Sequence, residues 1–127
     1  MEKILIIDDD EMDLQFMNVL FSSEGYEVVK TADGPQGVDL YKKHSPKFVF
    51  LDLGLPSANG MEVLKEIKRF DESAKVVLIT GYGSEKVAKN AFQLGALDFI
   101  EKRWDVGSMM DRIKSVLNAH DPGKVAG

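Results

Sequence analysis

The chain has 127 residues, 44% of them hydrophobic and 29% charged, a mixture that fits one globular domain and excludes a disordered chain. It contains no cysteine, so disulfides, thiolate nucleophiles and Cys-ligated zinc are ruled out and stability must come from an apolar core. Its 21 acidic and 16 basic residues leave a net charge of -5, which argues against a nucleic-acid-binding domain and favours cations.

Ile4, Leu5, Ile6 and Ile7 open the pattern as a continuous apolar run, the form of a strand buried on both faces of a parallel sheet. The run is too short for a secretory signal, and no later one approaches the roughly 18 apolar residues of a membrane span. A cytoplasmic domain is expected. Asp8-Asp9-Asp10-Glu11 follows, with Asp10 and Glu11 suited to the cap and first turn of a helix whose stripe is Met12, Phe16, Val19 and Leu20. Residues 26–29 are half polar and suit an edge strand, and Val38 and Tyr41 mark the second helix. Residues 48–51 form a third strand that runs straight into Asp52, and Val63, Leu64 and Ile67 mark the third helix. A fourth strand, 76–79, leads to Thr80, and Val87, Ala91 and Leu94 mark the helix after it. A weaker fifth strand, 97–100, precedes Glu101-Lys102, and Val106, Met109, Met110, Ile113 and Leu117 form the last stripe.

Five strands alternating with five helices predict an α/β fold, an open doubly wound parallel sheet with helices on both faces. An eight-stranded α/β barrel needs about twice this length. Residues 1–120 are expected to form the domain, and 121–127 a flexible tail or linker stub.

In such a sheet the functional crevice lies beyond the carboxyl ends of the strands. There the chain delivers Asp8 and Asp9, Asp52, Thr80 and Lys102 to one rim. Clustered carboxylates repel unless something offsets them, and a hard divalent cation does so with oxygen ligands. Lys102 supplies a point charge for an anion, and Thr80, followed by Gly81, Tyr82 and Gly83, a hydroxyl for an oxyanion. His44 and His120 fall near helix C-termini, where the helix dipole explains them.

Asp8-Asp9 in KILIIDDDE, Asp52 in VFLDLGLPSANG, Thr80 in VVLITGYG and Lys102 in ALDFIEK together resemble the receiver domains of bacterial two-component response regulators, over about residues 3–119. The resemblance implies a flavodoxin-like sheet of strand order 2-1-3-4-5. It also implies phosphorylation of Asp52 from the phosphohistidine of a histidine kinase or phosphotransfer protein. Asp8, Asp9 and Asp52, with the backbone carbonyl of Gly54, would hold Mg²⁺ or Mn²⁺. Lys102 would bind the phosphoryl group, Thr80 and Phe99 would act as the switch pair, and Pro56 and Gly60 match the loop after the phosphoacceptor. The domain would catalyse its own phosphorylation and slow dephosphorylation without being a turnover enzyme. Its partners would be the kinase and a downstream protein or effector domain, without direct nucleic-acid or membrane binding. It would be a monomer or a weak dimer through the fourth helix, fifth strand and fifth helix.

The family usually has Lys-Pro with a cis peptide where this chain has Lys102-Arg103. A cis bond costs about 2.5 to 4 kcal/mol before a non-proline residue, so a trans bond is expected. The salt bridge from Lys102 to Asp52 in the unphosphorylated state would then be long or absent. Two alternatives remain. One is a receiver-like interaction module that is not phosphorylated. The other is a phosphohydrolase with Asp8 as nucleophile and Asp10, two residues later, as acid/base.

Overall fold

A computed structural model describes residues 2–55, 59–81, 85–102 and 105–121. The elements run β1 (Lys3–Ile7), α1 (Glu11–Ser23), β2 (Glu27–Thr31), α2 (Gly34–His44), β3 (Phe48–Leu51), α3 (Gly60–Phe70), β4 (Val76–Thr80), α4 (Glu85–Gln93), β5 (Asp98–Glu101) and α5 (Val106–His120). The five strands pair in parallel in the order β2-β1-β3-β4-β5, as the resemblance implies.

The continuous apolar runs divide by the strand period of two between two cores. Ile4, Ile6, Phe48, Phe50, Val77 and Ile79 face α1 and α5, meeting Met17, Phe21, Ile113 and Leu117. Leu5, Ile7, Val49, Leu51, Val76 and Leu78 face the other way, toward Val38 and Tyr41 of α2, Val63, Leu64 and Ile67 of α3, and Ala91 of α4. Fully burying each of these side chains contributes about 1.5 to 3 kcal/mol, which is why strands with no polar face are stable here. Gly25 and Gly95, at φ +93° and +99°, turn the chain after α1 and α4 into the following strands, a conformation glycine adopts without a Cβ clash.

Three sequence expectations need correction. The inward face of α1 is Met17, Leu20 and Phe21, while Met12 and Val19 are 80% and 65% exposed. The helix carries two stripes at helical spacing, and Met12, Phe16 and Val19 lie along a groove shared with Met110 and Lys114 of α5. Second, β2 spans 27–31 rather than 26–29, because pairing with β1 extends as far as Ile7 opposite Thr31. Tyr26 precedes the strand, buried, with its hydroxyl donating to Asp121. Third, Asp121 belongs to the packed body: it caps α5, is buried, and pairs with Lys47 at 3.1 Å. Residues 122–127 lie outside the described residues.

Candidate functional site

The ladder of the parallel sheet continues past the strand ends and pins the backbone of the rim residues. Asp8 N–H donates to the Thr31 carbonyl at 3.0 Å, Asp52 N–H to that of Ile7 at 2.8 Å, and Lys102 N–H to that of Thr80 at 2.8 Å. The sequence Asp8-Asp9-Asp10 then turns into α1. Asp10 N–H donates to Asp8 Oδ1 at 2.9 Å, and the Asp10 carboxylate caps α1 by accepting from Met12 N–H and Asp13 N–H.

Asp8, Asp52 and Thr80 are buried, at 0%, 5% and 0% exposure, whereas Asp9 faces solvent. One carboxylate oxygen each from Asp8, Asp9 and Asp52 lies within 4.8 Å of the others. Lys102 Nζ reaches into this group, 2.9 Å from Asp52 Oδ2, 3.0 Å from Asp8 Oδ2 and 2.7 Å from Asp13 Oδ2. The bridge to Asp52 is short, contrary to the sequence expectation. The β4–β5 ladder fixes the Lys102 backbone, and the four-carbon stem spans the rest. Asp52 Oδ1 accepts Gly54 N–H at 3.0 Å, which orients the carboxylate.

Burial pushes the Asp8 carboxyl up to about 6, against the Asp10 N–H and the Lys102 ammonium, and the Asp52 charge adds to the rise. For Lys102, burial alone would favour loss of the proton. Hydrogen bonds to Asp13, Asp52 and Asp8 outweigh it and hold the ammonium above its ordinary value. The site therefore keeps a fixed cation among carboxylates that outnumber it.

The all-oxygen donor set fits a divalent cation of the hard class. Asp8 Oδ2 is buried and lies in ion-pair range of Lys102, yet accepts no directed hydrogen bond among the described residues, so a lone pair is left for a metal. Replacing Asp9 with Ala removes an exposed candidate ligand without emptying the core. Mg²⁺ affinity is expected to fall about 10-fold or more in calorimetric titration, since even outer-shell losses cost that much at many metal sites. Unchanged affinity would remove Asp9 from the ligand set.

Gly60 supports Asp52 from behind. A Cβ there would sit 2.6 Å from Leu53 Cα and 2.8 Å from the Asp52 carbonyl oxygen, both backbone atoms. Gly60→Ala is expected to cost roughly 1 to 3 kcal/mol in urea denaturation, because the contact cannot be relieved by a rotamer change. An unaltered denaturation midpoint would show that the Asp52–Leu53 backbone yields freely.

The structure thus brings together Asp8, Asp9, Asp52, Thr80 and Lys102, with Gly54 beside Asp52. Phe99 stands on β5 opposite Leu78, half-buried against the core under α4. Pro56, Tyr82, Gly83 and Arg103, and with Arg103 the expected trans bond, lie outside the described residues. Asp13 was not singled out by the sequence. Its signal was the helix cap at Asp10, which places the first turn of α1, and so Asp13, back over the rim. The phosphohydrolase alternative loses its acid/base: the Asp10 carboxylate is engaged as the cap of α1, accepting from Met12 N–H and Asp13 N–H.

The family model for the response regulator receiver domain matches residues 4–114. Sporulation initiation phosphotransferase F of Bacillus subtilis is 36% identical over 116 residues, covering 91% of this chain and 94% of that protein. Chemotaxis protein CheY of Treponema pallidum is 40% identical over 118 residues, covering 91% of this chain and 82% of that one. Among solved structures, CheY in the CheX-CheY-BeF3-Mg+2 complex from Borrelia burgdorferi is 34% identical, with a TM-score of 0.82 over 91% of this chain and 89% of that chain.

Proposed function

The chain belongs to the response regulator receiver domain family, and on that premise we propose that Asp52 accepts a phosphoryl group from the phosphohistidine of a sensor histidine kinase or a phosphotransfer protein. The observation that carries the reading is the Asp52 carboxylate itself. It directly follows the central strand, lies 2.9 Å from the Lys102 ammonium, and shares a 4.8 Å cluster with Asp8 and Asp9. An Asp52 oxygen forms the new O–P bond as the P–N bond breaks, and the electron pair leaves on the imidazole nitrogen. Carboxylates are modest nucleophiles, so positioning and charge neutralisation carry the rate. Asp8, Asp9, Asp52 and the Gly54 carbonyl would hold Mg²⁺ or Mn²⁺, which when bound neutralises phosphoryl charge. The CheY relative solved with Mg²⁺ supports that choice.

Lys102 transfers its ion pair from Asp52 to a phosphoryl oxygen, and the Thr80 hydroxyl donates to another. Movement of Thr80 opens space for the Phe99 ring, which shifts the population of packings across α4, β5 and α5. That surface then engages a downstream protein or effector domain, either as a monomer or as a weak dimer. Among the described residues no helix is long and apolar enough to cross a membrane. The unphosphorylated-module alternative is not favoured by relatives that include a phosphotransferase and chemotaxis proteins. Intact mass after incubation with a small acyl phosphate tests the reading. One phosphoryl group should be gained with Mg²⁺ and none after chelation, and a mass unchanged in both conditions would overturn it.

A further inference from the structure

We propose that Asp13 is a positioning residue that competes with the phosphoryl group for Lys102 and so slows phosphorylation of Asp52; this rests on the phosphoacceptor reading above. Three carboxylates hold the Lys102 ammonium, and Asp13 makes the shortest contact, 2.7 Å against 2.9 Å for Asp52 and 3.0 Å for Asp8. Asp13 differs from the other two in its place. It stands in the first turn of α1 and does not share the cluster of Asp8, Asp9 and Asp52 oxygens that suits a cation.

That difference has a consequence once a divalent cation is bound. Asp8 and Asp52 then have the metal as a partner, and Asp13 remains the carboxylate that needs Lys102. The ammonium is drawn toward α1, away from the position where it would meet an incoming phosphoryl oxygen. The Asp13 side chain is 24% exposed and that of Lys102 17%, so water screens the pair only in part. Asp13 also places a negative charge beside the path of an anionic donor. Tethering Lys102 and repelling the donor act in the same direction.

The test is the second-order rate constant for phosphorylation by a small acyl phosphate, with saturating Mg²⁺, in full-length protein. Asp13→Asn keeps the shape and removes the charge. It is expected to raise the rate constant roughly 3- to 10-fold, the scale of one unit charge a few ångströms away in a partly solvated site. Asp13→Glu, which can still reach Lys102, should restore the slow rate. Glu11→Gln removes an equal charge from the same helical turn, where Glu11 is exposed, and should leave the rate within about twofold. A purely structural role for Asp13 would change stability in Asp13→Asn and leave the rate constant where it was. If wild type is labelled and Asp13→Asn reacts at the same rate, or if Glu11→Gln accelerates equally, the inference is overturned and the phosphoacceptor reading stands. If wild type takes up no phosphoryl group, both are overturned.

Discussion

Lys102→Met is expected to lower the unfolding free energy of the metal-free protein by about 3 to 5 kcal/mol at pH 8, the usual cost of removing one partner of a buried ion pair. Methionine keeps most of the apolar stem and deletes the charge, so the loss reports the ammonium rather than packing. The variant leaves Asp8 and Asp52 buried without their cation, within reach of Asp9. Two conditions should restore much of the loss. Saturating Mg²⁺ supplies the missing positive charge and stabilises the native state by mass action. Low pH supplies a proton.

The sign of the pH effect follows from Asp8. Its carboxyl already titrates near 6 in the folded protein against an ordinary 3.8, and losing Lys102 raises it further. A group that binds its proton more tightly when folded contributes stability below its unfolded value and loses it as pH rises through the folded value. The deficit of Lys102→Met should therefore be small near pH 4 and grow as pH rises past 6. Equal urea midpoints for variant and wild type at pH 8 without metal would show that the ion pair does not hold the rim together.

Much of this rim was readable because its residues directly follow apolar runs. Asp52 ends the run 48–51, Thr80 ends 76–79, and Asp8 and Asp9 end 4–7, so strand polarity alone sends them to one edge. The two-sided burial of β3 and β4 was legible for the same reason, since a run without alternation has no face for water. The orientation of α1 was not. Its apolar residues form two stripes with the same helical spacing, and only packing against β1, β3 and α5 selects Met17, Leu20 and Phe21 over Met12 and Val19. The role of Asp13 was hidden likewise, because its approach to Lys102 depends on the angle at which α1 leaves the rim. The Lys102–Asp52 bridge does not depend on the absent proline. The hydrogen bond of Lys102 N–H to Thr80 holds the strand end in place whatever residue comes next.

The largest kinetic effect is expected from replacing Asp52, the proposed phosphoacceptor. Asp52→Asn keeps the volume and replaces the nucleophilic carboxylate with a neutral amide, while Asp8, Asp9 and Lys102 remain to bind metal and donor. The decisive measurement is to incubate wild type and variant with a small acyl phosphate and Mg²⁺, trap with borohydride and map the peptides. A single adduct at Asp52 is expected in wild type, and no labelling above background in Asp52→Asn. Undiminished labelling of the variant, or an adduct mapped to Asp8 or Asp9 in wild type, would contradict it.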